Sequence, residues 1–125
     1  MKPSNKNLLF KLFFFLALAA SALLAFIPDY SALPSVLSFS DLLNHMIAFS
    51  ILFLLLKGAY PSLAVNNIFA LLFAYAFGIE VLQYLLPTRS AALSDIGADV
   101  AGLLTGYLLM ILFNKASITK DIFTR

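Results

Sequence analysis

The amino-acid sequence predicts an all-α integral membrane protein, a four-helix up-down bundle with both termini in the cytoplasm. The chain of 125 residues is 62% hydrophobic and only 11% charged, whereas soluble domains carry about 25% charged residues. It also contains four apolar runs, each close to the roughly 20 residues that a helix needs to cross a bilayer. We expect residues 1–125 to form a single membrane domain.

The first span is expected at about residues 8–27. It follows a short basic segment and therefore also resembles a secretory signal peptide. Its apolar run is longer than the usual core of such a peptide, and further spans follow. We therefore expect the segment to be retained as a membrane helix, with Lys11 extending its amine to the nearer interface.

The second span is expected at about residues 39–57, after a loop rich in proline and serine. Ser40 and Asp41 favour a helix start because their side chains can cap the first backbone N–H groups. Asp41 and His45 are four residues apart and therefore share a face of the helix. Such a pair often makes only a local interaction, so a local role and a functional role both stay open.

The third span is expected at about residues 65–86, because Pro87 cannot continue a helix. Glu80 and Gln83 lie on one stripe of this helix. A short connection leads to the fourth span, so the two helices should be neighbours.

The fourth span is expected at about residues 93–113, with Asp95 and Asp99 on one face. Ala98, Gly102 and Gly106 recur every four positions, a pattern that lets membrane helices approach closely. We interpret these small residues as helix packing. Leu103, beside the glycine stripe, is expected on a different face.

The basic residues divide unequally between the two sides of the bundle. Arg89 lies alone on one side, and seven lie on the other: Lys2, Lys6, Lys11, Lys57, Lys115, Lys120 and Arg125. The positive-inside rule then places both termini in the cytoplasm.

In this topology, His45 of the second span, Glu80 of the third and Asp99 of the fourth lie at nearly one depth in the outer half of the membrane. Each charge costs about 2.5–3.5 kcal/mol to insert, whereas polar pairs between membrane helices return only about 0.6 kcal/mol on average. A purely structural polar contact between helices remains an alternative. Because the insertion cost exceeds the energy that such a contact returns, a functional role is favoured. His45 and Glu80 are the acid–base candidates, and the ligand-binding candidates are Asp41, Gln83, Arg89, Asp95 and Asp99.

The order and spacing of these residues resemble the signature of VanZ-like membrane proteins. The matching pattern is Asp41-x-x-x-His45, Glu80-x-x-Gln83, Arg89, Asp95-x-x-x-Asp99 and Gly102-x-x-x-Gly106. This chain has Leu42 where that family usually has Lys, and Asp99 where it more often has Asn. The family is named for a protein that lowers susceptibility to teicoplanin. The resemblance therefore implies a multi-pass protein of the bacterial inner membrane, without implying a particular reaction.

Three functions stay open. In the first, the polar cluster binds or modifies an envelope lipid, a lipid-linked precursor or a glycopeptide. Arg89 would hold an anionic head group, and Asp41 and Gln83 would orient His45 and Glu80. In the second, the protein is a non-catalytic binding or structural module. In the third, His45, Glu80, Asp95 and Asp99 hold a divalent cation, although no recognised metal spacing such as HExxH occurs.

Partners other than membrane lipid and the ligands above find little support in the sequence. The net charge of +2 is too small to indicate nucleic acid, and no cofactor motif is present. Four helices leave little room for a transport pathway, so transport would require a homo-oligomer.

The unequal distribution of basic residues between the two sides predicts which positions a thiol reagent can label from outside the cell. The chain has no cysteine, so single cysteines can be introduced without background. Cysteines at Ser35 and Ser90 should react with an impermeant thiol reagent from outside the cell, and cysteines at Ser62 and Ser117 should not. The opposite pattern would overturn the assigned orientation.

Overall fold

The computed structural model describes residues 5–26, 41–85 and 93–115. Within these ranges the chain forms four helices and no strand: α1 (Asn5–Ala25), α2 (Asp41–Ala59), α3 (Val65–Tyr84) and α4 (Leu93–Lys115). All four are long and apolar enough to cross a membrane. The all-α, four-span fold is therefore confirmed, with helix ends within three residues of those predicted. The orientation of the termini stays a prediction.

Helix α2 lies at the centre of the packing. Its most extensive interface is with α4 and its next is with α1, while α3 packs more lightly on α2 and α4. The predicted contact between α3 and α4 exists, but it is not the main interface of α4. Contacts join the early turns of α2 to the early turns of α4, so these two helices run parallel and α1 and α3 run the other way.

Two glycines of α4 explain why it packs so closely against α2. A Cβ atom added to Gly102 would collide with the backbone oxygen of Met46 and lie 3.0 Å from Cβ of Phe49. One added to Gly106 would lie 2.8 Å from Cβ of Phe53. At both positions the missing side chain is what allows the backbones to approach.

A hydroxyl reinforces this crossing. Ser50 Oγ of α2 lies 3.0 Å from the backbone oxygen of Met46 in its own helix and 3.0 Å from that of Gly102 in α4. Its single proton therefore has an acceptor in each helix. Ala98, one turn before Gly102, is half-buried, and its role in packing stays a prediction.

The apolar core joins α2, α3 and α4. Phe53 is fully buried, with its ring centroid 5.3 Å from that of Phe69 and 6.2 Å from that of Tyr107. Leu103, expected on a different face from the glycine stripe, is only 1% exposed and is therefore also buried. Helix α4 contacts both α2 and α3, and its buried arc is therefore wide enough to include Leu103 as well as Gly102.

The start of α1 packs on the end of α2. Asn7 Nδ2 donates a hydrogen bond to the backbone oxygen of Gly58 over 2.9 Å, and a Cβ on Gly58 would lie 2.5 Å from the ring of Phe10. Lys11 places its amine 4.8 Å from the centroid of the Tyr60 ring. The amine thus reaches towards the end of the bundle, in the direction expected for a side chain that snorkels.

Lys57 organises the connection from α2 to α3. Its Nζ atom donates to the backbone oxygens of Pro61, at 2.7 Å, and Leu63, at 3.0 Å. Backbone carbonyls after a helix end lack helical partners, so the amine stabilises this link. With Lys6, Lys11 and Lys115, it makes this end of the bundle basic.

The close crossing predicts a contrast between two glycines of α4. Gly102→Leu should lower the free energy of unfolding by about 1–3 kcal/mol or more, the usual range for overpacking. Gly97→Leu is a matched control, because an added Cβ there meets no atom within 4 Å. The control should be neutral or slightly stabilising, since leucine favours helix more than glycine. Thermal unfolding in detergent measures both changes, and equal losses would contradict this packing.

Candidate functional site

The end of the bundle opposite the lysines contains buried polar side chains. Glu80 and Gln83 lie in the last turns of α3, and Asp95 and Asp99 lie in the first two turns of α4; all four are buried. Such residues are rare inside membrane helices because of their insertion cost, and they commonly mark a functional site. These are residues that the sequence analysis selected.

His45 and Asp99 form the central contact of this region. Nδ1 of His45 lies 2.6 Å from Oδ1 of Asp99, and the two side chains are 12% and 4% exposed. His45 is one turn into α2 and Asp99 is one turn before Gly102. The tight crossing of the two helices therefore lets these short side chains meet. At 2.6 Å the contact is shorter than most charge-assisted nitrogen–oxygen bonds.

This geometry defines the chemistry available to His45. When the imidazole is neutral and Asp99 is ionised, Nδ1–H donates to the carboxylate and Nε2 carries the basic lone pair. A carboxylate in this position fixes the tautomer and the orientation of the ring. In the structure Asp99 is a carboxylate that contacts His45 Nδ1, and the orienting role expected of Asp41 stays a prediction.

Two predicted site residues fall where the structure does not test them. Asp41 is the first residue of α2, but its side chain lies outside the described part of the chain, and Arg89 lies outside the described residues. Their roles stay predictions.

Gln83 connects α3 to the end of α1. Its Nε2 atom donates to the backbone oxygen of Ala25 over 2.6 Å. Ala25 is the last residue of α1, where carbonyls lack a partner within the helix. Gln83 is fully buried, and its Oε1 atom has no hydrogen-bond partner among the described residues. It therefore ties two helices together, and its expected role in orienting Glu80 stays untested.

A second polar contact joins α1 to α3, and the sequence analysis missed it. Oγ of Ser21 lies 2.7 Å from the hydroxyl oxygen of Tyr75. The backbone oxygen of Leu18 lies 2.9 Å from the Ser21 hydroxyl and 3.0 Å from the Tyr75 hydroxyl. The only available signal was the presence of two hydroxyl side chains within otherwise apolar spans.

A cavity of about 300 Å³ lies between α1 and α2 and touches α3 and α4. Its lining is mainly apolar. The polar groups in its wall come from Ser21, Asn44, His45 and Asp99. Ile47 and Ile51 of α2 also line it and are each nearly half exposed. The cavity thus lies between the His45–Asp99 pair and the apolar outer surface of the bundle.

The cavity wall does not include every candidate residue. Glu80, Gln83 and Asp95 are not among the described residues that line it. Within the described residues, no group of three or more His, Cys, Asp or Glu side chains is placed to hold a metal ion. The arrangement therefore favours a hydrogen-bonded acid–base pair beside an apolar cavity.

A family model described as VanZ/LLP1 matches residues 3–114, which is most of the chain. No curated protein and no solved structure matches the chain.

The short contact between His45 and Asp99 predicts an energetic coupling. In a double-mutant cycle with His45→Ala and Asp99→Ala, the interaction energy should be about 0.6–1.7 kcal/mol, between the average and the largest value measured for polar pairs between membrane helices. A control cycle combines His45→Ala with Thr105→Ala. Thr105 donates to Ala101 within its own helix over 2.8 Å, so this cycle should show no coupling. Thermal unfolding in detergent gives both values, and additive losses in the first cycle would contradict the contact.

Proposed function

We propose that this chain, which belongs to the VanZ/LLP1 family, binds a membrane amphiphile in the cavity between α1 and α2. The His45–Asp99 pair would act on the polar end of that molecule. One observation carries the proposal: a hydrogen-bonded acid–base pair forms part of the wall of an apolar cavity beside the outer surface of the bundle.

The cavity suits an alkyl chain. Its volume of about 300 Å³ is at the lower end of the range for ligand pockets. At about 30 Å³ per water-sized group, it holds roughly ten such groups, enough for part of one acyl or prenyl chain. Leu24, Ile47, Ile51 and Ile79 contribute apolar wall, and a chain could enter from the surrounding lipid without crossing water.

The pair suits proton transfer. A histidine oriented by a carboxylate is a common general base, because its pKa in water lies near neutral pH. Nε2 is the atom that would take a proton from a ligand, while Asp99 stabilises the resulting imidazolium. This chemistry applies to a polar group held at the inner wall of the cavity.

The identity of the amphiphile follows from the predicted topology and from the family. The His45–Asp99 pair would then lie in the outer half of the bacterial inner membrane, where envelope lipids and lipid-linked precursors present their head groups. Arg89 would hold an anionic head group and Glu80 would be a second acid–base group. A glycopeptide such as teicoplanin is a further ligand to test, because the family takes its name from resistance to it.

A non-catalytic binding module remains the alternative function. It would use the same cavity, but the proton of His45 would not move during its action. The two functions differ in what a conservative change at His45 does. Catalysis requires His45→Gln to abolish activity with ligand binding intact, whereas a binding module keeps part of its activity.

The proposal predicts that the polar residues act as a unit. His45→Gln, Glu80→Gln and Arg89→Ala should each abolish the envelope phenotype, measured as teicoplanin susceptibility of cells that express matched amounts of each variant. Double variants should be no worse than single ones, because residues that act together are strongly non-additive. Full activity in the single variants, or losses that add, would leave the cluster with a structural role only.

Two alanine positions, one in the cavity wall and one on the surface, test the cavity itself. Ala48 lines the cavity, so Ala48→Phe should fill it and abolish ligand binding and the phenotype. Ala70 of α3 is exposed, so Ala70→Phe is the matched control and should have no effect. Loss of activity in both variants would point to general destabilisation, and retention in both would exclude the cavity as the site.

A further inference from the structure

Tyr75 of α3 lies behind the cavity wall, at a point where three helices meet. We infer that its ring sets the breadth of the cavity, so that a straight alkyl chain fits and a chain with methyl branches does not. Acyl lipids have straight chains, whereas prenyl chains carry methyl branches at regular intervals. This ligand class rests on the proposed function, because it describes the chain that the same cavity holds.

Tyr75 contacts two residues of the cavity wall without lining the cavity itself. Its hydroxyl oxygen lies 2.7 Å from Oγ of Ser21 in α1, and its ring centroid lies 5.9 Å from that of Phe49 in α2. Ser21 and Phe49 both belong to the cavity lining, which does not include Tyr75 in the described part of the chain. One side chain of α3 therefore supports the wall on both sides of the gap between α1 and α2.

These contacts restrict how far the wall can retreat from a ligand. The Tyr75 hydroxyl also lies 3.0 Å from the backbone oxygen of Leu18, so two oxygens of α1 hold it in place. Phe49 is 4% exposed, and a Cβ added to Gly102 of α4 would lie 3.0 Å from its Cβ. Helix α4 therefore packs against the Cβ of Phe49 while Tyr75 packs against its ring. A branch on a ligand would meet a close-packed wall, which yields little.

The size of the cavity fits a single straight chain. Its lining on α2 runs from Asn44 to Ile51, about 10 Å along the helix at 1.5 Å per residue. Its volume of about 300 Å³ holds roughly ten groups of the size of a water molecule. This number of groups over this length corresponds to one chain in single file, so branches would overfill the cavity.

Two alcohols that differ only in branching test the inference on the purified full-length protein in lipid nanodiscs. They are octanol and 3,7-dimethyloctanol, compared at equal mole fractions in the bilayer by displacement of a fluorescent alkyl reporter. Because lipid is as apolar as the cavity, the fit of the chain decides which alcohol binds. Octanol should bind at least about fivefold more tightly than the branched alcohol, the effect of the smallest usual cost of overpacking.

A smaller residue at position 75 should remove this preference. Tyr75→Leu leaves space into which Ser21 and Phe49 can shift, so the branched alcohol should bind as tightly as octanol. Tyr75→Phe keeps the ring and should keep the preference. The ratio of the two affinities reports only folded protein, because unfolded protein binds neither alcohol. If Tyr75→Leu does not fold, Tyr75→Met also removes the ring and carries the same expectation.

Tyr107→Leu is the matched control. The ring of Tyr107 in α4 lies 6.2 Å from that of Phe53 and 5.9 Å from that of Phe69, and none of these three residues lines the cavity. The variant removes a tyrosine from a comparable aromatic cluster, so it should lower stability and leave the ratio of affinities unchanged. A change in this ratio as large as that in Tyr75→Leu would indicate general loosening and overturn the role of Tyr75.

The outcomes separate this inference from the proposed function. If the reporter does not bind, or if neither alcohol displaces it, the cavity does not hold alkyl chains and the proposed function fails. If both alcohols bind the native protein equally well, or if Tyr75→Leu keeps the native ratio, only the straight-chain ligand and the role of Tyr75 are overturned. Loss of the preference in Tyr75→Phe would also overturn that role, because hydrogen bonds and not ring volume would then set the breadth of the cavity.

Discussion

The close parallel crossing of α2 and α4 is the constraint on which the other features depend. Gly102 and Gly106 remove the side chains that would hold the helices apart, and Ser50 has a hydrogen-bond acceptor in each helix at 3.0 Å. Short polar side chains can meet across an interface only where the backbones are this near. The 2.6 Å contact between His45 and Asp99, one turn away, is a consequence of that approach.

Helix α1 is held in a different way. Its fully buried side chains are Phe14 and Ala25, and Ala17 and Leu18 pack partly buried against the core. Polar contacts supplement the packing at both of its ends, through Asn7 at one end and through Ser21 and the carbonyl of Ala25 at the other. Between α1 and α2 the small side chains of Ser21 and Ala48 leave space, and this space is the cavity. The cavity therefore lies within the α1–α2 interface, where these two small side chains face each other.

The distribution of charge complements this arrangement. Lysines gather at the end of the bundle where Lys57 stabilises the α2–α3 link, and the buried carboxylates Glu80, Asp95 and Asp99 gather at the other end. The basic end suits a membrane surface with anionic head groups. The acidic end contains the polar wall of the cavity, so the two ends of the bundle differ in charge and in polarity.

The sequence by itself determined the class of the protein and the polar residues that lie within its apolar helices. Hydrophobic run length and charge content are local properties, and they are sufficient to place four spans within three residues of their observed ends. They are also sufficient to select Glu80, Gln83, Asp95, Asp99 and His45, because a polar residue inside an apolar run is visible without any knowledge of packing. The glycine stripe of α4 likewise indicated close packing.

Only the tertiary structure decided which of these residues meet. Helical periodicity fixes the angle between two residues of one helix, but not the rotation or the register of that helix against another. The structure shows Asp99 at His45 and α2 as the main neighbour of α4, and it buries Leu103 because α4 contacts two helices. The Ser21–Tyr75 contact joins α1 to α3, and the cavity lies between α1 and α2 and touches α3 and α4. No local pattern could have indicated them, since both depend on how separate helices pack together.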